Sequence, residues 1–232
     1  MSIRQLFEGQ LPEVILFDLD GTLIDSVPDL AFALDKTLAE LGFNTPGEQL
    51  AREWVGNGAK KLVQRGLAQV LACAEKDVPI QHLEQALALF FCHYENNLSV
   101  RTTIYPGVVS TLESWLAEGV QMACVTNKPI AFTKPILQHF NLCRFMPVAV
   151  GGDSVSVRKP EPEPLTEALR LLAVESSLDR GAVLMVGDSS NDVGAARALG
   201  IPVACVSYGY NHGADIADSK PDLLVKEFSA LN

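Results

Sequence analysis

Asp18 and Asp20 stand one residue apart at the end of the apolar run Val14–Phe17, and Gly21 and Thr22 follow them. The run reads as a buried strand. Such a strand gains nothing structurally from ending in two acids, whereas the carboxyl end of a parallel strand is where open α/β sheets bind ligands. Two carboxylates so close together suit a metal site, a shared proton, or a nucleophile beside its acid/base partner. A carboxylate such as Asp18 can attack phosphorus and split one hard displacement into two easier ones. Asp20 is then placed to protonate the leaving oxygen and later to deprotonate water. Gly21 allows a sharp turn that brings backbone amides toward an anion. The competing expectation is an Asx turn with no chemistry.

Three further segments carry candidate chemistry. Thr126 and Asn127 end the apolar run Gln121–Thr126, where a hydroxyl and adjacent amides can donate to phosphoryl oxygens. Either residue could instead cap a helix starting near Ile130. Lys159 lies in Arg158-Lys159-Pro160-Glu161-Pro162-Glu163-Pro164, whose alternating prolines stiffen the approach to a helix and would hold one ammonium in place. Taken alone, that lysine reads as a solvated loop residue. Asp188 and Asp192 belong to Gly187-Asp188-Ser189-Ser190-Asn191-Asp192 after the run Val183–Val186. Helix capping explains one of these two acids, not both. Asp18, Asp20, Asp188 and Asp192 together, on one edge of one sheet, would repel or take up protons unless a cation lay among them. Oxygen ligands without His or Cys select a hard ion, with Mg²⁺ the usual choice beside a phosphate.

The elements that position these residues alternate. Strand-like runs at Val14–Phe17, Gln121–Thr126, Pro147–Val150, Val183–Val186 and Val203–Val206 are separated by helical patterns, which predicts an α/β fold with a Rossmann-like, mostly parallel sheet. The stretch from Asp25 to about Thr102 breaks the rhythm. Its apolar stripes, Leu30-Leu34-Leu38-Leu41 before Gly42, then Leu62 to Leu71, then Leu83 to Tyr94, have helical spacing and predict an inserted all-helical domain. The expected division is 1–24 with 103–232 for the α/β part and 25–102 for the helical part.

The 232 residues carry a net charge of −10, which argues against nucleic acid or an anionic membrane as partner. The five cysteines, at 73, 92, 124, 143 and 205, have no metal-binding spacing, and free thiols in a reducing cytosol are expected. The N-terminal segment has no apolar signal-like core and no apolar run reaches membrane-spanning length, so the expected location is cytoplasmic.

With D-L-D-G-T-L-I-D-S, V-T-N-K, R-K-P-E-P and G-D-S-S-N-D in that order, the chain resembles the haloacid dehalogenase superfamily of phosphohydrolases over essentially its whole length. The resemblance implies Asp18 as nucleophile, Asp20 as general acid/base and backbone-carbonyl ligand, Thr126 and Lys159 as phosphate stabilisers, and Asp188 as an Mg²⁺ ligand, with Asp192 in support. The helical insert resembles that superfamily's cap, which would close over the substrate and exclude water. Trp54–Ala59, Gly151–Ser154 and Ser207–Asn211 resemble the branch that dephosphorylates 2-phosphoglycolate. There Gly56 and Asn57 would meet a small phosphorylated acid, and Asn127 would join them in substrate binding. A plain helix–helix turn at Gly56–Ala59 is an equal expectation. Arg52, Lys60, Lys61 and Arg65 cluster nearby, and one of them could meet the substrate carboxylate. Asp20 favours an oxygen leaving group over halide, which needs no proton. The alternatives are a phosphatase for another small ester or pyrophosphate, a phosphosugar mutase, or a non-catalytic binding module. A monomer or homodimer is expected.

Overall fold

The computed structural model describes residues 2–173 and 182–232. Six parallel strands form one sheet: β1 (Val14–Phe17), β4 (Gln121–Val125), β5 (Val148–Val150), β6 (Val183–Gly187), β7 (Val203–Val206) and β8 (Leu223–Val225). Two-residue extended segments, β2 (Ile24–Asp25) and β3 (Thr103–Ile104), fall between β1 and β4 in the chain. The sheet order is β5-β4-β1-β6-β7-β8. The chain therefore builds outward from β1 to one edge, returns, and builds to the other, which makes the gap between β1 and β6 a topological switch point. In register, Val14 pairs with Gln121 on one side and Val183 on the other. All four β1 residues are buried, as a strand covered on both faces requires.

Side-chain alternation along β1 divides the core into two layers. Val14 and Leu16 face a cluster that includes Ala123, Met185, Val203, Leu165 and Ala196, drawn from neighbouring strands and from helices α8 (Glu163–Leu171) and α9 (Ser190–Leu199). On the other face Phe17 stacks on Trp115 of helix α6 (Val108–Ala117), with ring centroids 6.1 Å apart, and Phe228 completes the group. Helix α7 (Ile130–His139) follows β4. The edge strand β8 lies outside the five strand runs read from the sequence. Only Leu223 and Val225 are buried there, with Leu224 exposed between them, so the continuous apolar signal of a central strand is absent.

Two compact units emerge, residues 1–25 with 104–232, and 26–103. The second contains helices α2 (Val27–Glu40), α3 (Gly47–Trp54), α4 (Ala59–Leu71) and α5 (Ile80–Glu95). Helix α2 stops before Gly42, whose φ of +82° suits the left-handed turn after a helix end. Within this unit Asp29 is fully buried and accepts hydrogen bonds from the Arg101 and Thr102 amides and the Thr102 hydroxyl, which ties the start of α2 to the segment leaving the unit.

Candidate active site

Because the strands are parallel, the residues just past β1, β4 and β6 share one edge of the sheet. Asp18, Thr126 and Asp188 are those residues, and all three are buried. Asp18, Asp188 and Asp192 each present a carboxylate oxygen within 4.8 Å of the other two.

Asp188 is held by both oxygens. The Thr22 hydroxyl donates to Oδ1 at 3.1 Å, and the Tyr210 amide donates to Oδ2 at 2.7 Å. A Cβ at Gly21 or at Gly209 would overlap the Asp188 carboxylate, so both positions need glycine for this approach. Asp192 plays a different part. Its Oδ2 accepts from the Ser189 amide at 3.0 Å, the Ser189 hydroxyl at 2.8 Å and the Asp188 amide at 3.2 Å, closing a capping box at the start of α9. Its Oδ1 accepts from Lys159 Nζ at 2.6 Å. Capping thus accounts for Asp192 and leaves Asp188 unexplained by local structure.

Lys159 is buried rather than solvated in its loop. Its Nζ donates to the Val125 carbonyl at 2.6 Å as well as to Asp192, and it lies 2.9 Å from Asp18 Oδ1. The last is an ion pair without an aligned hydrogen bond, since Asp18 Oδ1 has no hydrogen-bond partner among the described residues. Burial alone would depress the Lys159 ammonium, but Asp18 and Asp192 outweigh it and hold the group above the ordinary lysine range. Burial pushes Asp18 up to about 6 against the pull of Lys159, with Asp192 and Asp20 adding to the rise. Asp188 is raised well above its usual value, by burial first and then by Asp18 and Asp192.

Asp20 points elsewhere. Both its carboxylate oxygens accept from Lys128 Nζ, at 3.1 and 3.0 Å. Its backbone carbonyl accepts no hydrogen bond from the described residues, although the neighbouring Gly21 amide and the Ile24 carbonyl are paired with each other. Lys128, Thr22, Tyr210 and Gly209 lie in motifs noted in the sequence, but no individual role is assigned to them there. The adjacency of Lys128 to Thr126-Asn127 was the available signal.

Thr126 Oγ1 accepts from the Lys128 amide at 3.2 Å. Neither Thr126 nor Asn127 caps α7. That helix begins after Pro129, and Asp153 Oδ1 accepts from the Ile130 amide at 2.8 Å instead. Asn127 Nδ2 donates to the Lys159 carbonyl at 3.0 Å, while its Oδ1 is buried without a partner among the described residues. In the helical unit, Gly56 and Asn57 lie in the turn between α3 and α4. Arg65 reaches back from α4 to donate to the Trp54 carbonyl at 2.6 Å and to Asn57 Oδ1 at 3.0 Å. Lys61 pairs with Glu75, and Arg52 with Glu48. Three of the four clustered cations thus have partners within their own unit.

These donors fit a hard divalent cation. Four carboxylates against the two ammoniums of Lys128 and Lys159 leave an excess of two negative charges. Asp192 holds the Lys159 ammonium on Oδ1 and three donors on Oδ2, whereas each Asp188 oxygen takes a single neutral donor and keeps a lone pair. The oxygens of Asp18 and Asp188 and the unpaired Asp20 carbonyl therefore remain as an all-oxygen donor set.

A sheet of this order with acids at its switch point defines a class of hydrolase. The family model for haloacid dehalogenase-like hydrolases matches residues 15–206, and the chain belongs to that family and is an enzyme. Among its relatives, the phosphoglycolate phosphatase of Pseudomonas syringae pv. tomato is 45% identical over 231 residues, covering 99% of this chain and 82% of that protein. That of Pseudomonas fluorescens Pf-5 is 43% identical over 230 residues, with the same two shares. A crystal structure described as a predicted phosphoglycolate phosphatase from Haemophilus somnus superimposes with a TM-score of 0.85 at 36% identity, covering 94% of this chain and 95% of the other. Among the described residues no helix is long and apolar enough to cross a membrane.

Proposed function

We propose that this enzyme hydrolyses 2-phosphoglycolate to glycolate and inorganic phosphate through a phosphorylated Asp18, with Mg²⁺ as cofactor. The observation that carries this reading is the separate holding of the two acids. Asp18 lies against Lys159 and within reach of Asp188, whereas Asp20 is turned to Lys128. A nucleophile and a proton carrier need such different surroundings. The names of the relatives at 43% and 45% identity support the substrate.

In this mechanism an Asp18 carboxylate oxygen attacks phosphorus. The ester P–O bond breaks, and Asp20 gives its proton to the departing glycolate oxygen. Asp20 then takes a proton from water, whose oxygen attacks phosphorus. The bond from phosphorus to Asp18 breaks, phosphate leaves, and the carboxylate is restored. Lys159, fixed by Val125 and Asp192, faces the phosphoryl charge without having to reorganise. Thr126 and Asn127 add donors to the phosphoryl oxygens. Asp18, Asp188 and the Asp20 carbonyl would hold Mg²⁺, with Asp192 in support. The ion, when bound, supplies positive charge that offsets carboxylates and phosphoryl group alike.

The unit 26–103 is proposed as the helical cap domain of an enzyme whose α/β unit is the catalytic core, with Gly56 and Asn57 in its substrate loop. The anchoring of that turn by Arg65 supports a fixed loop conformation. The five free thiols fit a cytoplasmic enzyme. A substrate panel tests the reading. kcat/KM should favour 2-phosphoglycolate over hexose phosphates and pyrophosphate by at least about 10²-fold. A preference for either rival would reassign the substrate.

A further inference from the structure

Each acid of the opening motif has its own buried lysine: Lys159 lies 2.9 Å from Asp18, and Lys128 3.0 Å from Asp20. The proposed phosphoryl chemistry uses the first and leaves the second without a task. Lys128 is clamped at its backbone. Its amide donates to Thr126 Oγ1, and its carbonyl accepts from the Gly152 amide at 2.8 Å and the Thr133 hydroxyl at 3.4 Å. Its side chain is 4% exposed and straddles both oxygens of Asp20. A lysine stem ordinarily carries its ammonium out to water. Turning it inward sacrifices hydration that an ion pair rarely returns in full, so stability is a poor explanation for this contact. Geometry is a better one. The Asp20 carboxylate stays outside the cluster formed by Asp18, Asp188 and Asp192. A carboxyl drawn into that cluster would face three like charges and be lost to proton transfer.

We propose that Lys128 is a positioning residue for Asp20, holding its carboxyl apart from the other three so that it can serve the leaving oxygen. The inference rests on the reading of Asp20 as acid/base. One oxygen stays on the ammonium. The other passes its proton to the ester oxygen as the P–O bond breaks, and takes one from water in the second half of the cycle.

The role shows in leaving-group dependence. Acetyl phosphate is close in size to 2-phosphoglycolate, but its acetate departs as an anion and needs no proton. Because kcat/KM reports only events up to P–O cleavage, hydrolysis of the phosphorylated enzyme does not obscure the comparison. Lys128→Met should lower kcat/KM for 2-phosphoglycolate by about 10²-fold and for acetyl phosphate by less than about fivefold. Lys128→Arg should recover at least about tenfold of the loss on 2-phosphoglycolate. Equal losses on both substrates, or no loss on either, overturn the positioning role. Should Lys128→Met fail to fold by circular dichroism, Lys128→Gln takes its place: a greater loss on 2-phosphoglycolate than on acetyl phosphate supports the role, and equal losses or none overturn it. Wild-type enzyme that turns over neither substrate overturns the phosphatase reading itself, a result distinct from failure of the lysine's role.

Discussion

Lys159 Nζ lies 2.6 Å from Asp192 Oδ1, and both side chains are almost wholly buried. The pair joins the loop before α8 to the first turn of α9, and it holds the ammonium 2.9 Å from Asp18. Asp192 therefore acts through Lys159 and through the helix start that presents Asp188, rather than as a free ligand.

Asp192→Ala removes the capping box and one of the two carboxylates beside Lys159, leaving Asp18 and the Val125 carbonyl as its partners, and should destabilise the protein by about 2–4 kcal/mol. Denaturant titration measures this directly, and a change below about 1 kcal/mol would contradict it.

Gly209 belongs to the wall that shapes Asp188, since an added Cβ would overlap that carboxylate. Gly209→Ala should raise the Mg²⁺ concentration for half-maximal activity by about 10- to 100-fold, with smaller effect on the far-UV spectrum. An unchanged Mg²⁺ requirement would show that Asp188 need not stand where the structure puts it.

The raised Asp18 and Asp188 groups give stability a pH dependence with a definite sign. A carboxyl whose folded pKa lies above its unfolded value binds its proton more tightly in the folded state. Its contribution is complete below about pH 4 and is lost as pH rises through about 6 for Asp18, with Asp188 extending the same trend. Mg²⁺ should relieve the repulsion. The Tm increment produced by saturating Mg²⁺ should therefore grow by several degrees, roughly 3–8 °C, between pH 5 and pH 7. Calorimetry at matched ionic strength checks it, and an increment independent of pH would refute the charge assignment.

Arg65 ties the α3–α4 turn to its own helix through the Trp54 carbonyl and Asn57. Arg65→Met should speed amide exchange at residues 55–58 and raise KM for 2-phosphoglycolate about tenfold with a smaller change in kcat. A KM within twofold of wild type would remove Asn57 from the substrate loop.

The sheet and the shared edge of Asp18, Thr126 and Asp188 were legible because each follows a buried apolar run, and parallel strands deliver such positions to one edge. The place of Lys159, in a loop after β5, was indicated only by the family resemblance. Helix α3 was not legible, because Gly47–Trp54 has only 8 residues, too few for its single Leu50-Ala51-Trp54 face to repeat. Strand β8 escaped for a different reason, that one side chain in three faces out. Lys128 escaped for another: its backbone lies beside Thr126, but its partner Asp20 is 108 residues away in the chain. A local pattern cannot show whether a lysine stem turns inward to a distant carboxylate. Gly209 is similar, its need for hydrogen in place of Cβ being set entirely by Asp188.

The central claim is a covalent intermediate on Asp18. Rapid acid quench during turnover of 2-phosphoglycolate, followed by borohydride reduction and peptide mass spectrometry, tests it most directly, because an acyl phosphate is reduced to homoserine whereas a free carboxylate is not. Homoserine in place of Asp18, absent without substrate and absent in Asp18→Asn, is the predicted result. Steady turnover with no reduction at Asp18, or with reduction at a different carboxylate, would contradict it.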